Sequence, residues 1–329
     1  MTMPKRKLGA NGPEVGAIGL GCMSFGGIFG AANDDTSLET LASARAAGID
    51  FWDVANIYGM GHCETIIGRY LSGAPDDMVI ATKASIVNGP PRHFRNDEDH
   101  LRSELDASLK RLGRDKVELF YIHRREADRP VEEVAETLAK FIAEGLIDGY
   151  GLSEVAPSTI RRAHAVHPVT AVQNEYSLWS RQPELGVLQT CEELGITFVP
   201  FSPLARGMFG SNPPAPAEMD DTDFRRVNPR FTEPNYSANL AQINILRAYA
   251  NTNGWTLPEL AMAWILHKSP TSLPIPGTRT TAHLNEWANA ANIVLSPDHI
   301  TEIERILPVG WAHGDRYGDM QMAGVERYC

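Results

Sequence analysis

The chain has 329 residues, 43% of them hydrophobic and 22% charged, with a net charge of −11. That balance excludes nucleic acid and anionic membranes as expected partners: the one basic cluster, His123-Arg124-Arg125, is short and flanked by Glu126 and Asp128. No apolar run approaches the roughly 18 residues that span a bilayer, and no apolar segment follows the basic start MTMPKRKLGANG, so a cytoplasmic protein without a signal peptide is expected.

In chain order, brief apolar runs bounded by turn formers read as buried parallel strands. They are VGAIGLGC (15–22), IDFWDVA (49–55), MVIATK (78–83), VELFYIH (117–123), DGYGLS (148–153), TAVQNEY (170–176), ITFVPFS (196–202) and SLPIPG (272–277). Helical patterns alternate with them over 36–48, 98–113, 131–145 and 184–195, then twice in succession over 240–254 and 257–268, and last over 295–307. Strands separated by helices imply βαβ crossovers. Eight such strands predict a closed α/β architecture, a single (β/α)8 TIM barrel over 1–329, which this length accommodates. A doubly wound sheet is the alternative; it calls for a GxGxxG turn after the first strand, and GLGCMSFGG (19–27) does not have that spacing.

Segment 211–235, rich in proline, aspartate and asparagine, interrupts the alternation after the seventh strand. It reads either as a functional lid or as an inert surface insertion. Cys22, Cys63, Cys191 and Cys329 lie far apart and form no CxxC pair, which argues against a disulfide framework or a structural zinc site. No metal is expected, since His123 is the only histidine at a predicted strand end.

Active sites of such barrels form at the C-terminal strand ends. Those ends carry Asp53 with Tyr58 just beyond, Lys83, His123, Ser153 with Glu154, Gln173 with Asn174, and Phe201 with Ser202. The first four make chemical sense together. A free phenol titrates near pH 10 and needs help to exchange protons at neutral pH. The Lys83 ammonium can stabilise a Tyr58 phenolate, Asp53 can hold that ammonium, and His123 can hydrogen-bond a substrate oxygen or share in proton relay. Singly, each has an ordinary reading: a turn cap, a rim aromatic, a solvated strand end, a structural histidine.

DVANIYG, ATK and FYIH, in that order, resemble the Asp, Tyr, Lys and His tetrad of the aldo-keto reductases. The similarity spans nearly the whole chain. KLGANGPEVGAIGLGCMSFGG resembles the family's opening, a β-hairpin that plugs the barrel floor followed by strand one. EGLIDGYGLSEVAPSTIRRAHAVHPVTAVQNEYSLWSR (144–181) resembles the bacterial branch that includes pyridoxal reductases and other NADP-dependent carbonyl reductases. PFSPLARG (200–207) and PIPGTR (274–279) resemble cofactor motifs.

The resemblance implies NADPH bound over the barrel mouth and a small-molecule aldehyde or ketone as substrate. It assigns catalysis to Tyr58, Lys83, Asp53 and His123. It places Gly21, Cys22, Met23 and Asp53 beside the nicotinamide, Ser153 and Gln173 on its carboxamide, and Phe201 stacked on its ring. Ser202, Leu204 and Gly207 fall along the pyrophosphate, and Gly277, Thr278 and Arg279 at the 2′-phosphate. Arg279 also has a physical basis, because a guanidinium fork suits a phosphate and a helix start near Thr280 or Thr281 favours anions. Beyond it, His283, Glu286 and Trp287 depart from the family's Arg and Glu-Asn pattern, which leaves NADH open as well. Phe25, Phe29, Trp179 and 208–235 are expected to shape the pocket. Two other readings stay open: a Schiff-base, aldolase-like barrel using Lys83, and a non-catalytic nicotinamide-binding accessory protein.

Overall fold

A computed structural model describes residues 3–73, 77–89 and 92–328; Cys329 lies outside them. Lys5–Lys7 and Glu14–Gly16 pair antiparallel. Leu8 and Val15 carry this hairpin into an apolar cluster with Phe51, Ala81, Tyr121 and Leu273. The predicted first strand therefore divides. Its start belongs to the hairpin, where the Ala17 N–H donates to Pro4 at 2.8 Å, and the sheet strand proper is Leu20–Gly21.

Seven strands form one curved parallel sheet: Thr197–Phe198, Ala171–Gln173, Tyr150–Ser153, Leu119–Ile122, Val79–Ala84, Phe51–Asp53 and Leu20–Gly21, neighbours in that order. The predicted eighth strand is not a regular one. It meets both edges of the sheet through isolated bridges, Phe198 with Ser272 and Gly21 with Gly277. Leu273 and Ile275 donate their N–H groups to Phe198 and Pro200 at 2.8 and 3.1 Å. On the other side Pro274 and Pro276 only accept, from Gly19 and Gly21, both at 3.0 Å. A proline has no N–H, so half of that ladder cannot form.

Side chains alternate along each strand. Phe51, Val79, Ala81, Leu119, Tyr121, Ala171, Val199, Leu273 and Ile275 fill the inside. Trp52, Ile80, Phe120, Leu152, Val172 and Phe198 point outward into the helical layer, onto Leu41, Ile66, Leu105, Leu138, Ile160 and Cys191. Two residues above the inner layer, the same parity brings Asp53, Lys83, His123, Ser153, Gln173 and Phe201 to one rim.

The helices follow their local signals. Asn33 caps Asp34–Ala46, Asp97 caps Glu98–Leu112, and Thr256 with Glu259 forms a capping box on Leu257–Lys268. Two crossover helices carry no mark in the periodic reading, His62–Leu71 and Pro157–Val166. The first contains Gly68, at which a Cβ would stand 2.3 Å from the Arg111 carbonyl oxygen. Close helix packing, rather than helix propensity, selects that residue.

Segment 211–235 folds as three single 3-10 turns, Pro216–Glu218, Phe224–Val227 and Pro229–Phe231, and buries Asn228 and Phe231. It is thus packed structure, not a bare insertion. Among the described residues no helix is long and apolar enough to cross a membrane.

Candidate active site

Lys83 is fully buried, and its Nζ donates to the Asp53 carboxylate and, at 2.9 Å, to the Val54 carbonyl. The same ammonium lies 5.1 Å from the centre of the Tyr58 ring. The other Asp53 oxygen accepts from Gln173 Nε2 at 2.8 Å. The Tyr58 and His123 rings meet edge to face at 5.7 Å. These side chains come from four strands or strand ends and converge at one place.

Tyr58 follows its strand in a turn whose Gly59 and Met60 both have positive φ, 57° and 55°. Gly59 lies under Gly26: a Cβ on Gly26 would stand 2.6 Å from the Gly59 nitrogen. Two residues without side chains therefore let the loop after strand one press the Tyr58 turn into the mouth.

Charges here are set by burial against close partners. Burial would strip the Lys83 proton, but Asp53 and Tyr58 more than reverse this and raise its pKa, so the lysine is an ammonium. Burial raises the Asp53 carboxyl, with Lys83 and Gln173 opposing. Burial also lifts the Tyr58 phenol above its usual value although Lys83 pulls it down. The expected net lowering of Tyr58 is not found: in this geometry desolvation outweighs the ammonium, and the phenol is a proton donor at neutral pH. Burial, with Arg124, Lys83 and Arg92 adding to it, drives His123 well below the usual range, so its ring is neutral. Among the described residues, His123 Nδ1 is buried without a hydrogen-bond partner. Neutral amines form Schiff bases; an ammonium held by a carboxylate and a phenol counts against that reading of Lys83.

The other predicted residues are placed as follows. The Cys22 N–H donates to the Asp53 carbonyl at 2.8 Å. Burial pushes the Cys22 thiol well up and makes it a poor nucleophile. Gly21 bridges Gly277, and Met23 opens a short 3-10 turn beside them. Ser153 Oγ accepts from Arg124 at 3.0 Å. Phe201 is half-buried against the inner apolar cluster. Ser202 and Gly207 both take positive φ, 51° and 98°, and with Leu204 shape the turn after the seventh strand. Arg279 donates to the Ala31 carbonyl at 3.3 Å and, with Phe29, Asp220 and Asp223, lines a cavity of about 210 Å³. Thr280 caps the single-turn helix Thr281–Asn285, next to which Thr278 is buried. His283 is exposed on that helix, and Glu286 accepts from the Ser211 N–H at 3.1 Å. Trp287 is core. Phe25 and Trp179 are buried as well, and Trp179 packs against Phe209, Phe231 and Trp311.

Sequence reading missed a buried ionic cluster just beyond the strand ends. Arg316 pairs with Glu154 and, at 3.1 Å, with Glu175. Arg206 pairs with Glu175 at 3.0 Å and donates to the Arg316 carbonyl at 2.7 Å. Arg206 also lies over the Tyr317 ring at 4.5 Å. The cluster ties the turn after strand seven to the chain end, where Glu326 receives the Ala156 N–H at 2.7 Å. Arg316 sits outside any periodic element, so only its charge marked it.

The fold and rim define a β/α barrel with a polar strand-end site. The chain matches the aldo/keto reductase family over residues 17–308 and belongs to that family. Its curated relatives include an aldo-keto reductase of Schizosaccharomyces pombe, yakc, named for NADP(+), 36% identical over 325 residues, covering 96% of this chain and 95% of that one. Among solved structures, a glycerol dehydrogenase of Gluconobacter oxydans is 25% identical, with a TM-score of 0.83 over 92% of this chain and 94% of that one. A thermostable aldo-keto reductase solved with the inhibitor epalrestat is 27% identical, with a TM-score of 0.73 over 92% and 100%.

Proposed function

We propose that this chain, acting as one unit, is an NADP(H)-dependent oxidoreductase that reduces an aldehyde or ketone to an alcohol. The observation that carries the reading is the buried Asp53–Lys83 pair set under a protonated Tyr58, edge-on to a neutral His123. The NADP(+) in the name of a 36% identical relative supports the cofactor. The rim fits a nicotinamide: Phe201 offers a flat apolar face and Ser153 a hydroxyl. Gly277 is closely approached by Ser24 Oγ, 3.3 Å from where a Cβ would stand. Gly21, Cys22, Met23, Asp53 and Gln173 complete that end. Ser202, Leu204, Gly207, Thr278, Arg279, His283 and Glu286 are assigned to the rest of the cofactor.

When bound, the reduced nicotinamide supplies hydride to the carbonyl carbon. His123 and Tyr58 hold the carbonyl oxygen between them. Tyr58 Oη gives its proton to the developing alkoxide. Lys83 stabilises the phenolate left behind, and Asp53 keeps Lys83 charged and in place. Positioning and polarisation of this kind supply much of a rate. The test is NADPH oxidation with simple aldehydes. Tyr58→Phe should lower kcat by about 10²–10⁴-fold with NADPH binding, read by tryptophan quenching, close to wild type. Full activity in that variant removes Tyr58 as the acid.

A further inference from the structure

Most arginines near the rim are neutralised. Arg206 and Arg316 meet carboxylates, Arg225 pairs with Asp223, and Arg230 is held by backbone carbonyls and Ser180. Arg124 differs. It is half-buried and follows His123 directly; its Nη1 donates to the His123 carbonyl at 2.6 Å and to Ser153 Oγ at 3.0 Å. No carboxylate among the described residues pairs with it. Arg92, whose guanidinium lies 5.8 Å from the Phe94 ring centre, also has no carboxylate partner among them. Partial burial, then the charge of Arg124, holds the Arg92 pKa down. Both charges reach His123, and that of Arg124 also reaches Tyr58.

Two like charges that feel one another and have no carboxylate partner oppose folding unless something repays them. Here the net charge is −11, so carboxylates were plentiful and none was placed between them. Arg124 adjoins His123, which is buried and, among the described residues, has an unpartnered Nδ1. Guanidinium forks match the oxygens of carboxylate and phosphate groups. We propose that Arg124, assisted by Arg92, binds an anionic group on the substrate, so that the preferred substrate is an aldehyde or ketone bearing a carboxylate or a phosphate. The anion lies on the His123 side of the reacting carbonyl. This inference rests on the reductase reading.

The test compares two pairs of carbonyl compounds by NADPH oxidation: 4-carboxybenzaldehyde against benzaldehyde, and glyceraldehyde 3-phosphate against glyceraldehyde. Wild type, Arg124→Gln and Arg92→Gln are measured. In wild type kcat/KM should favour the anionic member of at least one pair by about tenfold or more, chiefly through KM. The pair that shows the preference identifies carboxylate or phosphate. The ratio of anionic to neutral kcat/KM should fall by about tenfold in Arg124→Gln and by less in Arg92→Gln. Arg92 is exposed, so its variant keeps the test open if Arg124→Gln does not fold. Equal kcat/KM within both pairs overturns the subsite and leaves the reductase reading standing. A wild-type preference that neither variant alters removes it from these arginines. Reduction of none of the four compounds overturns the reductase reading and the subsite with it.

Discussion

Lys83 Nζ and the Asp53 carboxylate meet where water does not reach: both side chains are almost wholly buried. Removing one member of such a pair leaves an unpaired charge in a dry interior, which costs about 3–5 kcal/mol. Lys83→Met should therefore lower the unfolding free energy by about that amount and abolish measurable turnover. Urea unfolding and NADPH oxidation read the two effects separately. A stable, active Lys83→Met protein would refute the proposed role of this pair.

Gly26 and Gly59 touch through their backbones, and Tyr58 precedes Gly59. Gly26→Ala puts a methyl group into the Gly59 nitrogen and pushes the Tyr58 turn away from His123. A displacement of about 1 Å can lower a rate about hundredfold, so kcat should fall by about tenfold to hundredfold with the fold intact by circular dichroism. An unchanged kcat would show that the turn has slack.

Glu175 is buried; burial raises its carboxyl, but Arg206, Arg316 and Arg230 together hold it down to about 2. A carboxylate depressed in the folded state contributes stability above its unfolded value of about 4.5 and loses it as the pH falls toward 2. The gap corresponds to about 3 kcal/mol. Urea midpoints should fall steeply between pH 4.5 and pH 2, and this part of the slope should be missing in Glu175→Gln. The same acid slope in both proteins would place the titration elsewhere.

Arg279 faces Asp220 and Asp223 and holds the Ala31 carbonyl. If it binds the 2′-phosphate, Arg279→Ala should raise the Kd for NADPH by about tenfold or more and leave the Kd for NADH near its starting value. Parallel weakening of both cofactors would assign Arg279 to shaping the cavity.

Much of the rim was legible in one dimension. Strand residues alternate between two faces, so an apolar run ending in a polar residue of the inner parity fixes where that residue goes. Phe51 inside places Asp53 at the mouth; Ala81 places Lys83, and Tyr121 places His123. The crossover helices His62–Leu71 and Pro157–Val166 were not read: each has ten residues, less than three turns of repeat.

By itself, then, the sequence determined the barrel class and the identity of the residues at the strand ends, because these follow from local periodicity and turn chemistry; the hairpin below the barrel was legible only through the resemblance of its residues to a family opening. Only the tertiary structure decided what those residues do to one another. Desolvation outweighs Lys83 at Tyr58, and Gln173 is committed to Asp53. Arg316 reaches Glu154 and Glu175 across more than a hundred residues of chain, and Arg124 settles on Ser153 without a carboxylate. Burial and long-range electrostatics depend on every element packed around a group, and no window of sequence contains them.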